Sequence, residues 1–361
     1  RQRQMCIRDR HIPDKQMKKI YTYLMMLTVS ALIISCNEEW SGEQYEHYIS
    51  FKAPINSDGV SRINVRYKAN EATTYQVPLI VSGTTLNDKN YTVRIGLDPD
   101  TLVVLNKERY STRIDLYYQV LPATFYSLPE TVEIKAGENT ALLPIDFKLN
   151  NIDLSEKWVL PLTVEESSDG SYTPNYRKHY RKALLRVMPF NDYSGNYSAV
   201  NYKCYIKGAE SEAPFVKNYV MTYVVDDQSL FFYAGIIDET RVDRKGYRIL
   251  AKFINNDNGE IGNVELSPAD SDNKMKFQIG KDDYGKEVTP TYSVTETMDP
   301  IRPYLKRKTI IIRNINYTYV DYTTIPGVET EYHVIGSLAL ERQINTQIPD
   351  EDQAIDWEAG N

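Results

Sequence analysis

The sequence predicts an all-β protein of two domains, a β-sandwich followed by a small antiparallel up-and-down barrel. Three observations point there. Apolar and polar residues alternate over short runs, with the period of half-buried strands. Turn-forming residues separate those runs about every eight to twelve positions, the spacing of sandwiches and barrels. Tyrosine outnumbers the other aromatics, with Tyr 29 against Phe 9 and Trp 3, and its ring suits a pleated surface while its hydroxyl stays wet. No long apolar stripe of period 3.6 competes. The 361 residues suffice for two domains, and 42% hydrophobic with 25% charged residues is a globular composition.

Taken in order, residues 1–16 are polar and precede a complete leader at Met17, so they read as a spurious upstream extension and are left out of the fold. From Met17 to Cys36, two lysines lead into a mostly apolar run, and Ile33-Ile34-Ser35-Cys36 ends it. The run is short for a bilayer, which needs roughly 20 apolar residues, and Thr22, Thr28 and Ser30 interrupt it. A signal peptide is expected over 17–36. The junction resembles the lipobox of bacterial lipoproteins, which implies acylation of Cys36 and a lipid anchor in the outer membrane. Residues 37–47 form an acidic tether with Glu38, Glu39, Glu43 and Glu46. In Bacteroidetes lipoproteins such acidic residues resemble a signal for display on the outer face. The alternative is a solvated linker.

The sandwich is expected over 48–188. Arg62–Tyr67 and Tyr91–Leu97 alternate cleanly, and Tyr75–Thr84 carries Pro78, which suits an edge or a bulge. Thr131–Lys135, a turn at Gly137, Ala141–Phe147, Trp158–Glu165 and Lys182–Val187 complete it. Pro189 to Gly195 crowds Pro, Asn, Asp and Gly, which marks a boundary.

The barrel is expected over 191–344. Tyr219–Val225 and Leu230–Ala234 flank a hairpin connection at Asp226–Ser229. Tyr247–Ile254, Lys276–Ile279 and Thr291–Thr295 follow. The clearest pair is Thr309–Tyr319 with Tyr332–Leu340, joined through Pro326-Gly327. In its first member Ile315, Tyr317 and Tyr319 face one way and Asn314, Asn316 and Thr318 the other. Roughly eight meandering strands make a barrel that holds one ligand or fills its own interior. The tail 345–361 is acidic and patternless. Together these elements predict an immunoglobulin-like sandwich and a lipocalin-like barrel.

Val77-Pro-Leu-Ile-Val-Ser-Gly83, Val132–Glu138 and Trp158–Val164 are similar to the N-terminal domain of unknown function 1735 of Bacteroidetes lipoproteins. Asp192–Tyr197, Asp321-Tyr-Thr-Thr-Ile-Pro-Gly327, Gly336–Arg342 and Thr346–Ile355 resemble the domain of unknown function 4361 that follows it. The resemblance spans nearly all of the chain after Cys36. It implies an accessory of a polysaccharide-utilisation locus, working beside SusC-type transporters and SusD-type binders, with a polysaccharide or oligosaccharide as its ligand.

The remaining chemistry is sparse. Net charge is −7 and the isoelectric point about 5.4, which gives no electrostatic footprint for nucleic acid. Cys6 lies in the excluded extension and Cys36 is the acylation site, so Cys204 stands alone and neither an internal disulfide nor a cysteine-cluster metal site is expected. No metal and no cofactor is expected. The histidines are scattered, and no Gly-x-Ser-x-Gly elbow appears. Relatives of the first domain precede a chitinase-like barrel, but its Asp-x-x-Asp-x-Asp-x-Glu pattern is missing, so the chain is expected not to be an enzyme. A carboxylate pair such as Asp226-Asp227 offers a glycosidase alternative, although adjacent turn acids are usually only solvated. Asn255–Glu260 and Asp270–Asn273 are out of register for a calcium loop and read as turns. Arg177–Lys182 and Lys306–Lys308 are basic runs, either solvated faces or contacts for an anionic glycan.

Sugar rings stack on tyrosine, and polar neighbours bind their hydroxyls. Tyr284, Tyr292 and Tyr304, in a polar stretch with Gly and Pro, are candidate glycan contacts, with Tyr172, Tyr176 and Tyr180 as a second cluster. The expected function is glycan binding at the cell surface for a Sus-type system. The alternative is a scaffold subunit of an outer-membrane transport complex without sugar affinity.

Overall fold

The computed structural model describes residues 43–255 and 261–349, together with residues 19, 21–23 and 25–26. Cys36, the extension 1–16, the tether up to residue 42, most of the turn at Asn255–Glu260 and the tail from residue 350 lie outside the described residues. Among the described residues, no helix is long and apolar enough to cross a membrane.

The first domain contains β1 (Tyr48–Phe51), β2 (Ser61–Arg66), β3 (Thr73–Val81), β4 (Tyr91–Leu97), helix α1 (Pro99–Tyr110), β5 (Tyr118–Val120) and β6 (Tyr126–Ser127). It continues through β7 (Thr131–Ile134), β8 (Thr140–Phe147), β9 (Lys157–Val164), β10 (Thr173–Pro174) and β11 (Lys182–Phe190). Two sheets face each other. One runs in the order β10-β1-β3-β8-β6 and the other β2-β11-β9-β4-β7 with β5 on β9. Alternation drives this: Ile63 and Val65 on β2, Leu79 on β3, Val93 on β4, Ile145 on β8 and Leu162 on β9 all point into one buried core. Each such side chain, fully buried, contributes about 1.5–3 kcal/mol of transfer free energy.

The chain's first strands split between the sheets, because β1 pairs antiparallel with β3 whereas β2 pairs parallel with β11. That pairing carries β11 through Pro189 to Phe190, opposite Val65 and Arg66. The break therefore falls at Asn191–Ser194, within the stretch from Pro189 to Gly195. There the Asn191 side-chain oxygen accepts from the Tyr193 and Ser194 amides at 2.9 and 2.8 Å.

Helix α1 was not expected. Asp98 caps it by accepting from the Thr101 amide at 3.2 Å. Only Leu102 and Asn106 are buried on it, so its sequence shows no apolar stripe. Asn106 instead binds the backbone of Tyr118 as a strand would, accepting from its N–H at 2.8 Å and donating to its C=O at 2.9 Å. The end of the tether also docks. Glu43 accepts from the Thr84 and Thr85 amides at 2.8 and 2.9 Å, and from His47 Nε2 at 2.8 Å.

The second domain comprises β12 (Gly195–Ser198), β13 (Tyr202–Ile206), β14 (Phe215–Val216), β15 (Tyr219–Val224), β16 (Ser229–Tyr233) and β17 (Arg248–Ile254). Then come β18 (Ile261–Pro268), β19 (Gln278–Ile279), β20 (Thr291–Met298), β21 (Leu305–Ile325) and β22 (Val328–Asn345). Pairing of β22 with β21 closes a ring of eight strands, β22-β12-β15-β16-β17-β18-β20-β21, a barrel as expected. Strands β12 and β18 were not foreseen, and Lys276–Ile279 contributes only β19, outside the ring. Ile315, Tyr317 and Tyr319 face inward as expected, and a bulge between Ile312 and Ile315, with Asn314 at φ 60°, keeps them in phase with Ile310 and Ile312.

The barrel is filled. Tyr197, Tyr202, Tyr317 and Tyr319 are among its most completely buried side chains. Tyr202 and Tyr317 share a hydrogen bond between hydroxyls, and the Tyr317 hydroxyl accepts from the Gly235 amide at 2.9 Å. Much of the tyrosine excess that hinted at sugar contacts is thus spent on the interior, where each ring supplies volume and the Tyr202 and Tyr317 hydroxyls satisfy each other.

The two domains are joined side by side. Strand β16 is buried at every position, because one face lines the barrel and the other lies beneath Arg248, which pairs with Asp153 of the sandwich at 3.1 Å. Arg244, 2% exposed, donates to the carbonyls of Ser155 and Asp115, each at 3.1 Å. Arg186 lies buried between Asp58 at 3.8 Å and Glu239 at 3.4 Å, over the ring of Tyr118.

Candidate functional site

The six tyrosines separate into buried and exposed. Tyr172 is 6% exposed and Tyr292 is 4% exposed, so neither presents a ring to a ligand. The Tyr172 hydroxyl bridges the Arg94 amide and the Glu165 carbonyl, tying β4 to the end of β9. Tyr292 packs edge-on against Phe253 and Tyr193, and its hydroxyl donates to Asn255. Alternation explains the correction: Tyr292 sits on the inner face of β20, opposite Ile312.

Tyr284 is 95% exposed at the tip of a hairpin held by Asp282 and Lys286, whereas Tyr304 is 37% exposed beside Thr346. They leave opposite ends of β20, whose eight residues span about 25 Å, so one sugar ring cannot touch both.

The structure does bring Tyr176 and Tyr180 together, at 53% and 45% exposure, in one loop with Arg177, Lys178 and His179. Arg181 lies 4.6 Å from the Tyr176 ring, and the Tyr176 hydroxyl donates to Glu166, which raises its pKa. Lys178 and His179 both adopt left-handed backbone, at φ 46° and 60°, a conformation that costs roughly 1–2 kcal/mol per residue. Buried Asn175 holds the loop by accepting from the Arg177 amide at 3.0 Å and donating to Ser50 Oγ at 2.9 Å. This loop offers two aromatic faces and positive charge on a rigid sheet end.

A cleft of about 440 Å3 lies on the outer wall of the barrel. The registers Ser229↔Lys252 and Lys252↔Glu265 lay one row of side chains across its floor, and Leu250↔Ser267 lays the next. Asp226 on the β15–β16 hairpin closes one side, and the segment Glu287–Pro290 the other. Sequence reasoning missed it. The only available signal was that Lys252 and Glu265 fall at the polar positions of two alternating strands.

The other motifs are structural. Asp321 of the Asp321–Gly327 motif accepts from both terminal nitrogens of Arg241 at 2.9 Å, from Tyr247 at 3.0 Å, and from the Thr323 and Thr324 amides. Lys306, Arg307 and Lys308 pair with Glu296, Glu341 and Asp192. Asp226 caps its own hairpin through the Gln228 amide at 2.8 Å, and Asp270 caps Asp272. Among the described residues, no cluster of His, Cys, Asp or Glu is arranged to hold a metal ion.

A family model for a domain of unknown function (DUF4973) matches residues 40–168, and a second, described as "-like, C-terminal", matches residues 181–339. The crystal structure of a multidomain protein including DUF1735 from Bacteroides ovatus is 44% identical, with TM-score 0.72, and the match covers 86% of this chain and 100% of that one. The chain belongs to this Bacteroides family of multidomain proteins. A protein of unknown function from B. ovatus, 37% identical with TM-score 0.74, is matched over 89% of this chain and 99% of that one. An auxiliary nutrient binding protein from Bacteroides thetaiotaomicron is 40% identical, with TM-score 0.72, over 87% of this chain and 100% of that one. No curated protein matches. The name expected for the first domain thus occurs in the B. ovatus relative, while the model that matches this chain is that of DUF4973.

Proposed function

We propose that this protein is a lipid-anchored accessory binder of nutrient glycans on the outer face of the outer membrane. What carries the reading is the family relationship, in which a relative 40% identical over 87% of the chain is described as an auxiliary nutrient binding protein. The Cys36 junction supplies the anchor, and its acylation would be seen by mass spectrometry of membrane-extracted protein. The sandwich serves as a spacer, and the barrel, fixed to it by Arg186, Arg244 and Arg248, carries recognition. The protein binds glycan without cleaving it. Glycan arrays probed with the full chain test binding, and product release from bound glycans tests cleavage. Absence of any bound glycan defeats the reading.

A second reading rests on the filled barrel. Its centre is occupied by Tyr202, Tyr317 and Tyr319, so it has the build of a rigid scaffold docked on a SusC/SusD-type transporter. A stoichiometric transporter partner in outer-membrane pull-downs, with no glycan affinity, supports that reading.

A further inference from the structure

We infer that the cleft on the barrel wall is a glycan subsite, and that it takes an uncharged, hydroxyl-rich ligand of mono- or disaccharide size; the inference rests on the glycan-binding reading above. The cleft's volume, about 440 Å3, lies within the roughly 300–1,000 Å3 of small-molecule sites.

Its polar groups are available. Lys252 and Glu265 face each other across β17 and β18, yet form no ion pair with each other. Among the described residues neither they nor Glu287 has a side-chain partner, whereas Lys306, Arg307 and Lys308 are all paired. The sheet edge adds a backbone pair. The Val264 amide donates to the Pro290 carbonyl at 2.8 Å, and beyond that point the neighbouring segment diverges. Two residues on, alternation turns the N–H and C=O of Leu266 toward the same side, where no backbone partner reaches them.

This arrangement selects its ligand. A peptide added as a strand needs a row of edge groups, but Pro268, the next residue facing that way, has no N–H to give. A compact polyol needs only scattered donors and acceptors, which Lys252, the carboxylates and Leu266 provide. Asp226, Glu265 and Glu287 outnumber Lys252, so uronate or sulfated sugars are repelled. Leu250 and Val288 supply apolar contact for the ring's C–H face in place of an aromatic platform.

The test is titration calorimetry of the full chain in detergent, against neutral oligosaccharides built from glucose, mannose, galactose and xylose, and against polygalacturonate fragments. The expected result is that a neutral sugar binds, and that Lys252→Ala combined with Glu265→Gln weakens it at least tenfold with an unchanged melting temperature. Undiminished affinity in the cleft variant overturns this assignment while leaving glycan binding intact, and so does preference for the uronate. No binding of any sugar overturns both.

Discussion

Arg186 of the sandwich reaches Glu239 of the barrel at 3.4 Å, and this pair sits where the two domains meet. Burial opposes the charge on Arg186, but Glu239, Tyr223, Tyr118 and Asp58 together outweigh it and raise the guanidinium's pKa. Burial likewise pushes the Glu239 carboxyl up, and Arg186, Lys157, the Tyr223 hydrogen bond and Arg62 together more than reverse that. The Tyr223 hydroxyl donates to the same carboxylate at 3.0 Å. Arg186→Met strands Asp58 beside an apolar side chain, although Arg62 still pairs with Asp58 at 2.8 Å. A loss on the order of 2 kcal/mol is expected in urea denaturation, below the cost of stripping a fully buried pair because Glu239 sits at the rim.

The same pair sets a pH dependence. The folded pKa of Glu239 lies below its ordinary value of 4.5, so the native state binds fewer protons than the unfolded chain around that pH. Its contribution is therefore present above about pH 4.5 and lost as pH falls through the lower folded value. Melting temperature followed from pH 6 to pH 3 is expected to fall less steeply for Glu239→Gln than for the native chain. Equal slopes would show that the pair does not stabilise the joint.

Arg244 pins the joint through carbonyls, with one guanidinium serving both Ser155 and Asp115. A lysine carries the charge but not the planar fork. Arg244→Lys is expected to cost about 1–3 kcal/mol, since a buried acceptor is left unmet. Small-angle scattering should then report a looser arrangement of the two domains.

In the barrel core the two partners of one hydroxyl contact are not equivalent. Tyr317 also accepts from the Gly235 amide, and Tyr202 has no such duty. Tyr317→Phe should cost about 1–3 kcal/mol through the orphaned amide, and Tyr202→Phe less. Chemical denaturation of the two variants checks the order.

The sequence showed the strands because their burial alternates. Arg62–Tyr67 became β2 and the inward row Ile315, Tyr317 and Tyr319 stands as read. Helix α1 escaped because its buried face consists of Leu102 and Asn106, one of them polar and bound to backbone. Pro189 opens the stretch that marks the boundary, yet a parallel partner keeps it in β11. Tyr172 and Tyr292 were expected to offer exposed rings because their flanks are polar. What buries them is the fold of the strands on either side, which local composition does not encode. The cleft was invisible for the same reason: Asp226, Lys252, Glu265 and Glu287 converge only through strand register.

The most direct trial of this reading is a glycan array and calorimetric titration of the intact chain, extracted from membranes in detergent. Saturable binding of at least one neutral oligosaccharide, without release of shorter products, is the predicted result. A chain that binds none of them while co-purifying with a transporter would contradict it.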